Sequence, residues 1–459
     1  MNITYREVTH PEIFTDYIPV DLDDETMSLH LNNVLLSMER MRIDSLVIYA
    51  DREHGANFAY LTGFEPRFEE ALLIIHADTK IVFVLGNENL KMAEHSRIKG
   101  MLVHAPHFSL PYQPMAPHHS LEEILKESGI SDNTTIGCVG WKHFTSLIEN
   151  NAQLFDIPYF IVDAIKRINR NGYIFNASRI FLDSTFGIRN FHNANEIAHF
   201  EANAGLASSA VSNALDAIIP GITEIDIADK MNTHGAPLSI TTIVSSGTRF
   251  TNAMVFPRNK KIQLGEKFSV TLGLRGGSSS RSGYVARNAD DIPQSERSYL
   301  DMVVKPYYQV LVTLYENFCI GCRCASLYET IETIFPKDMY GWKLNPGHFT
   351  DDCEWSSSPM YENSSAIIQS GMMIQMDIIP NVRGFAGVSA EDGVAIADDA
   401  LRNELAAKYP STWNRINTRR NYMKNILGIN IGDDLLPLSD ICGYLRPFVL
   451  NHDFAMTAK

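Results

Sequence analysis

Residues 310–335, VLVTLYENFCIGCRCASLYETIETIF, read as a helix, a turn at Gly321 and a second helix, and the same plan stands one hundred residues earlier. There NEIAHFEANAGLASSAVSNALDAII (195–219) is a long amphipathic pattern with Ile197, Phe200, Ala204, Val211 and Leu215 on one stripe. It stops at Pro220 and Gly221. GITEIDIADKM (221–231) then restarts a helix, with Thr223 as N-cap and Asp226 in the place of a capping-box partner. Gly321 matches Gly221, Leu327 matches Ile227 and Ile331 matches Met231. Two copies of this length are too few for a solenoid, so the expectation is a pseudo-symmetric pair of half-domains. Strands follow each copy: SITTIVSS, KFSVTLGL and SGYVARN after the first, MMIQMDII and GVAIAD after the second. Helices on one side of antiparallel-looking strands make an α+β domain with its site in the interior.

Upstream, residues 21–106 alternate a helical pattern, LHLNNVLLSMERMRI, with the apolar runs SLVIYA, ALLIIHA and KIVFVLG. Helices between continuous apolar strands predict an α/β layer structure. The expected division is an N-terminal domain over 1–189, a second domain over 190–400, and a C-terminal extension over 401–459 packed on the second domain.

A chain of 459 residues with 45% hydrophobic content has ample material for two cores. Its net charge of −15 argues against nucleic acid or an anionic membrane as partner, because both reward a basic face. No run reaches the roughly 18 apolar residues of a membrane span, and MNITYREVTHPEIF is too polar for a signal peptide. The expected location is cytoplasmic. Six cysteines, three of them in CIGCRC (Cys319, Cys322, Cys324), do not suggest a disulfide framework and read as reduced thiols in a loop and helix start.

FAYLTGFEPRFEEALLII, PGITEIDIA, SSGTRF, KKIQLGEKFSVTLG, NPGHF, SGMMIQMDIIP and GVSAEDGVAIA, in this order and spacing, resemble the creatinase, aminopeptidase P and methionine aminopeptidase clan. The resemblance covers nearly the whole chain up to about Leu401. It implies a pita-bread C-terminal domain, an RNase H-like (creatinase-type) N-terminal domain and a homodimer.

The peptidases of the clan hold two divalent metals with two aspartates on adjacent strands, a histidine in a glycine-histidine turn and two glutamates on later strands. By resemblance the first aspartate falls on Thr271 and the second on or beside Arg287; His348 matches the histidine, Asp377 replaces one glutamate and Glu391 retains the other. One imidazole and two carboxylates, with a guanidinium aimed at the same space, leave two dications uncompensated. The expectation is therefore no dinuclear centre and no cofactor, with one weakly held ion through His348, Asp377 and Glu391 still open. Trp355 stands where a second histidine is usual, and TNAMVF lacks the histidine that is catalytic in creatinase.

Three functions stay open at this point. One is a metal-independent creatinase-like hydrolase of a C–N bond in a small amino-acid-like, guanidino or peptide substrate, with His348, Asp377 and Glu391 catalytic. Another is an inactive ligand- or partner-binding member of the fold. The third is an Xaa-Pro aminopeptidase-like metallopeptidase. Substrate-binding candidates are Arg287, Arg249, Asn252, Tyr284, Glu354, Trp355, Arg67 and Phe68. GLRGGSSSRSG (273–283) reads as a flexible turn between two strands, which would leave Arg275 and Arg281 without a direct role.

Overall fold

The run SLVIYA forms a strand whose six residues are all buried, because alternate side chains feed two different cores. Leu46 and Ile48 pack into one cluster with Phe58, Phe83 and Phe181, whereas Val47 and Tyr49 pack into another with Ile161 and Ile165. The computed structural model describes residues 1–116 and 118–458. They fall into two units, 22–189 and 1–21 with 190–459.

The strands, in chain order, are β1 (Thr4–Glu7), β2 (Ser45–Ala50), β3 (Ala71–His76), β4 (Ile81–Leu85), β5 (Met101–His104), β6 (Thr135–Val139), β7 (Tyr173–Asn176), β8 (Ile243–Ser246), β9 (Lys267–Leu274), β10 (Gly277–Tyr284), β11 (His348–Phe349), β12 (Met373–Met376), β13 (Ser389–Ile396), β14 (Leu435–Pro437) and β15 (Phe454–Thr457). The 22–189 unit is one mixed sheet in the order β5-β4-β3-β2-β6-β7, with β4–β5, β2–β6 and β6–β7 parallel.

The other unit carries an antiparallel sheet in the order β11-β12-β13-β10-β9-β8, with β14 added to β13. The helix Ala194–Asp216 opens on an Asn193/Glu196 capping box and buries most of its length. The two-copy repeat is visible in the backbone. Gly221 N–H donates to Ile262 O and Gly321 N–H to Ile368 O; Ile262 N–H returns to Ile222 O and Ile368 N–H to Cys322 O. Thr223 bridges Lys261 as Arg323 bridges Ile367. Both glycines have positive φ, 99° and 88°, a conformation that costs any side chain with a Cβ, so the turn itself selects glycine. In the first copy Thr223 and Asp226 complete the capping box.

Residues 401–459 pack onto the rest of the 190–459 unit: β14 extends the sheet through β13, and Leu405, Ile416 and Leu436 share a core with Ile197 and Phe200. Two expectations are corrected. Residues 1–21 run with the 190–459 unit, not with 22–189, since β1 pairs antiparallel with β15. Cys319 and Cys322 are joined in a disulfide, because the turn at Gly321 brings their Cα atoms to 5.6 Å, within bridging range. No helix among the described residues is long and apolar enough to cross a membrane.

Candidate active site

The polar stretch between β9 and β10 is not a loop. Only Arg275 and Gly276 turn the chain, and Gly277–Tyr284 is a strand buried at every position. Its register decides the site. Ser280 lies opposite Thr271 on β9 and opposite Glu391 on β13. The Thr271 and Ser280 hydroxyls meet at 2.8 Å. The neighbour of Thr271 across the hairpin is therefore a hydroxyl, and neither position carries a carboxylate.

Around that row the structure brings together His348, Asp377 and Glu391, with one ligand-capable atom of each lying within 4.8 Å of the others. His348 opens β11 opposite Gln375, Asp377 directly follows β12, and Glu391 sits on β13. All three side chains are buried. Ser278 Oγ donates to Glu391 Oε1 at 2.8 Å, and Gln375 Nε2 donates to the same oxygen at 3.2 Å. Ser278 Oγ also reaches Glu354 Oε1 at 3.4 Å, so Glu354 is tied to the cluster. Trp355 stacks on His348, ring centroids 4.0 Å apart and nearly parallel at 16°, and walls the imidazole.

The electrostatics follow from burial. Desolvation pushes the His348 imidazole down to about 4, leaving it neutral at pH 7. Burial, then the charge of Glu391, pushes Glu354 up to about 8. Burial raises Asp377 well above the carboxylate range, with repulsion from Glu391 and Glu354 adding to it. Glu391 is raised by the same desolvation, partly offset by its bonds from Ser278 and Gln375. Arg281 relieves Glu391 only in part. It sits on the opposite face of β10, where it pairs with Asp392 at 2.7 Å and donates to the Tyr444 and Ile441 carbonyls.

The structure leaves several candidates outside the cluster. Arg287 follows β10, is 64% exposed and is held by Asp291 at 2.7 and 2.8 Å, so it is a surface ion pair and not the guanidinium of the cleft. Tyr284 is a core residue; its hydroxyl donates to Glu296 and accepts from Ala386 N–H. Asn252 is exposed in the short turn Thr251–Ala253. Arg67 and Phe68 belong to the 22–189 unit, both exposed, the guanidinium 5.0 Å from the ring centroid. Arg249 is exposed with its guanidinium 4.6 Å from the Phe250 ring, and it lines a cavity at the start of β9. Sequence reading missed Ser278, Ser280 and Gln375. The signal for the serines is alternation: read with period two, GSSSRSGY puts Ser278, Ser280 and Ser282 on one face and Ser279 and Arg281 on the other.

A direct check on the Arg287 placement is its neutral variant. Arg287→Gln is expected to change stability by less than about 0.5 kcal/mol and to leave ligand binding unaltered, because exposed ion pairs contribute little. A melting curve and a titration of any ligand of the cleft read both; a lost ligand response would return Arg287 to the site.

No protein-family model matches the chain, and no curated protein matches it. Solved structures do. A prolidase from Thermococcus sibiricus is 17% identical with a TM-score of 0.62, covering 83% of this chain and 95% of that one. The Xaa-Pro dipeptidase from Bacillus anthracis is 16% identical with a TM-score of 0.60 over 82% and 96%. An X-Pro aminopeptidase from Thermotoga maritima is 13% identical with a TM-score of 0.60 over 80% and 94%. At these identities the likeness is one of fold. The repeat, the sheet and these neighbours agree: the chain has the pita-bread fold of the creatinase, aminopeptidase P and methionine aminopeptidase clan, with its creatinase-type N-terminal domain.

Proposed function

We propose that the chain hydrolyses a C–N bond in a small amino-acid-like, guanidino or peptide substrate, without a dinuclear metal centre. The observation that carries this reading is the cluster of His348, Asp377 and Glu391 beside two hydroxyls, Thr271 and Ser280. Two dications bring four positive charges, and this donor set does not balance them, so a metal pair does not fit. One divalent ion would fit the three ligand atoms only in competition with the substrate's cationic group and with His348 as a base.

The proton inventory belongs to the chain. Environments that push two groups in opposite directions mark a base and an acid. His348, neutral at pH 7, takes a proton from the attacking water. Glu354, whose carboxyl keeps its proton toward pH 8, gives one to the leaving nitrogen as the C–N bond breaks. Glu391, fixed by Ser278 and Gln375, and Asp377 receive a cationic group of the substrate.

The named neighbours include Xaa-Pro peptidases, which makes Xaa-Pro dipeptides the first compounds to assay, followed by guanidino acids. We expect turnover that persists after chelation and falls at least about a hundredfold in Glu354→Gln and His348→Ala, the usual contribution of acid–base groups. Elemental analysis of the purified chain should find no more than one divalent ion per chain. Two bound ions, or activity that vanishes with chelator and returns with excess metal at two equivalents, overturn the proposal. The reading takes a cytoplasmic homodimer; sedimentation of the purified chain checks the dimer, and fractionation of the source cells checks the location.

A further inference from the structure

The turn that opens each half of the repeat is built twice, and only one of the two carries sulfur. Ile222 N–H donates to Ile219 O at 3.2 Å, and Cys322 N–H donates to Cys319 O at 3.1 Å. Glu224 N–H donates to Lys260 O at 3.1 Å, as Cys324 N–H does to Ala366 O at 3.0 Å. The bonds of Gly221 and Gly321 to Ile262 and Ile368 make the same match. The first copy holds this backbone with Ile219 and Ile222 where the second has Cys319 and Cys322. The turn therefore needs no cross-link to form.

A bridge between residues three apart also has little to add to the fold. In the chain-entropy view the stabilisation grows with the loop that is closed, and this loop is among the shortest possible. The cysteines that do serve the core, Cys138, Cys324 and Cys442, are buried and carry no bridge. Burial pushes the Cys324 thiol, two residues beyond the pair, up to about 12, so it stays protonated and does not compete as a nucleophile.

Both oxidation states suit the same backbone. Oxidised, the two Cα atoms stand 5.6 Å apart, within bridging range. Reduced, the Cys322 thiol has an acceptor in place, the Asn317 carbonyl oxygen 3.0 Å from its sulfur. Cys319 and Cys322 are half-buried, and Ile320, Gly321 and Arg323 around them are exposed, so the pair lies at the surface.

We propose that Cys319 and Cys322 form a reversible dithiol–disulfide pair that exchanges with small thiols and disulfides of the glutathione class while the chain stays folded. The pair shares no residue with the acid cluster and goes beyond the proposed hydrolysis. In the reducing direction an external thiolate attacks the Cys319 sulfur. The S–S bond breaks, a mixed disulfide forms, and the Cys322 sulfur leaves, takes a proton from water and donates to the Asn317 carbonyl. A second external thiolate then attacks the external sulfur of the mixed disulfide. Cys319 is released, takes a proton in turn, and the two external thiols depart joined as their own disulfide. Two electrons and two protons enter the pair, and the external thiols are oxidised.

The test titrates the full, folded chain in glutathione buffers of graded ratio, blocks thiols by alkylation before unfolding, and reads the mass of the peptide that spans 319–322. The expected result is complete interconversion in both directions, with the melting temperatures of the two forms within about 4 °C of each other. Cys322→Ser, which keeps a hydroxyl donor for the Asn317 carbonyl, should melt like the reduced parent and carry glutathione on Cys319 without releasing it as a bridge. Two outcomes overturn the proposal. One is a bridge that yields to reduced glutathione only once the chain unfolds, which would make it structural. The other is a pair that keeps both thiols under oxidised glutathione.

Discussion

Glu201→Gln is expected to destabilise the 190–459 unit by about 3–5 kcal/mol, the penalty for breaking a buried ion network from one side. Glu201 is fully buried in the helix Ala194–Asp216, where Arg415 grips its carboxylate through two nitrogens and Arg419 reaches it at 2.7 Å. Arg419 also holds Asp440 at 2.8 Å, and Asp440 accepts from Tyr17, Ser209 and the Phe14 amide. Two guanidinium groups and two carboxylates balance. Removing one anion leaves a net positive charge in a dry core, with donors whose hydrogen bonds have no replacement. The loss should appear as a lower urea midpoint, and Asp440→Asn should match it. Because the network joins residues 14–17, the long helix and the segment 415–440, a trimmed chain ending near residue 400 should not fold its second unit. A Glu201→Gln midpoint within about 1 kcal/mol of the parent chain would show that water reaches this network.

That network also explains what was legible in the sequence and what was not. Apolar runs such as SLVIYA and KIVFVLG announce strands because burial on both faces demands continuous hydrophobicity. The repeat around Gly221 and Gly321 was legible because a positive-φ turn leaves a glycine in both copies. Three members of the site were legible as well, since His348, Asp377 and Glu391 lie in short motifs that local sequence fixes. The hairpin was not. GGSSSRSG has the composition of a loop, and only its place between β9 and β13 buries it, a tertiary effect that local propensity does not carry. Placing the second aspartate by the Gly283–Tyr284 motif led past the end of the strand to Arg287, whereas the ladder puts Ser280 opposite Thr271. The tail read as an addition because its partners lie elsewhere in the chain, Glu201 being 214 residues before Arg415 and β13 on the sheet that β14 joins, and no periodicity links them.

Asp377→Asn should have the opposite sign: it is expected to stabilise the chelated, ligand-free protein by about 1–2 kcal/mol at pH 8, the range typical of relieving a strained functional site. Among the described residues the cluster of Glu354, Asp377 and Glu391 has no guanidinium or ammonium paired to it, since Arg281 is committed to Asp392 on the other face and relieves Glu391 only in part. Asp377 Oδ1 is buried without a hydrogen-bond partner among the described residues, so the ionised side chain is poorly solvated there. Each carboxyl is held above its ordinary value, Glu354 to about 8. With folded values raised above unfolded ones, the folded chain binds more protons than the unfolded chain across that window, and stability falls as pH rises through it. The contribution is fully present below the ordinary carboxylate range and is lost as pH rises through the raised folded values, that of Glu354 lying at about 8. Parent and variant melted in parallel at pH 5.5 and pH 8 should therefore diverge with rising pH, the variant losing less. A cationic ligand should narrow the gap by supplying the missing charge to the parent alone. If Asp377→Asn is instead less stable at both values, the carboxylate has a partner in the folded chain, and the case for an open cation seat in this cleft fails with it.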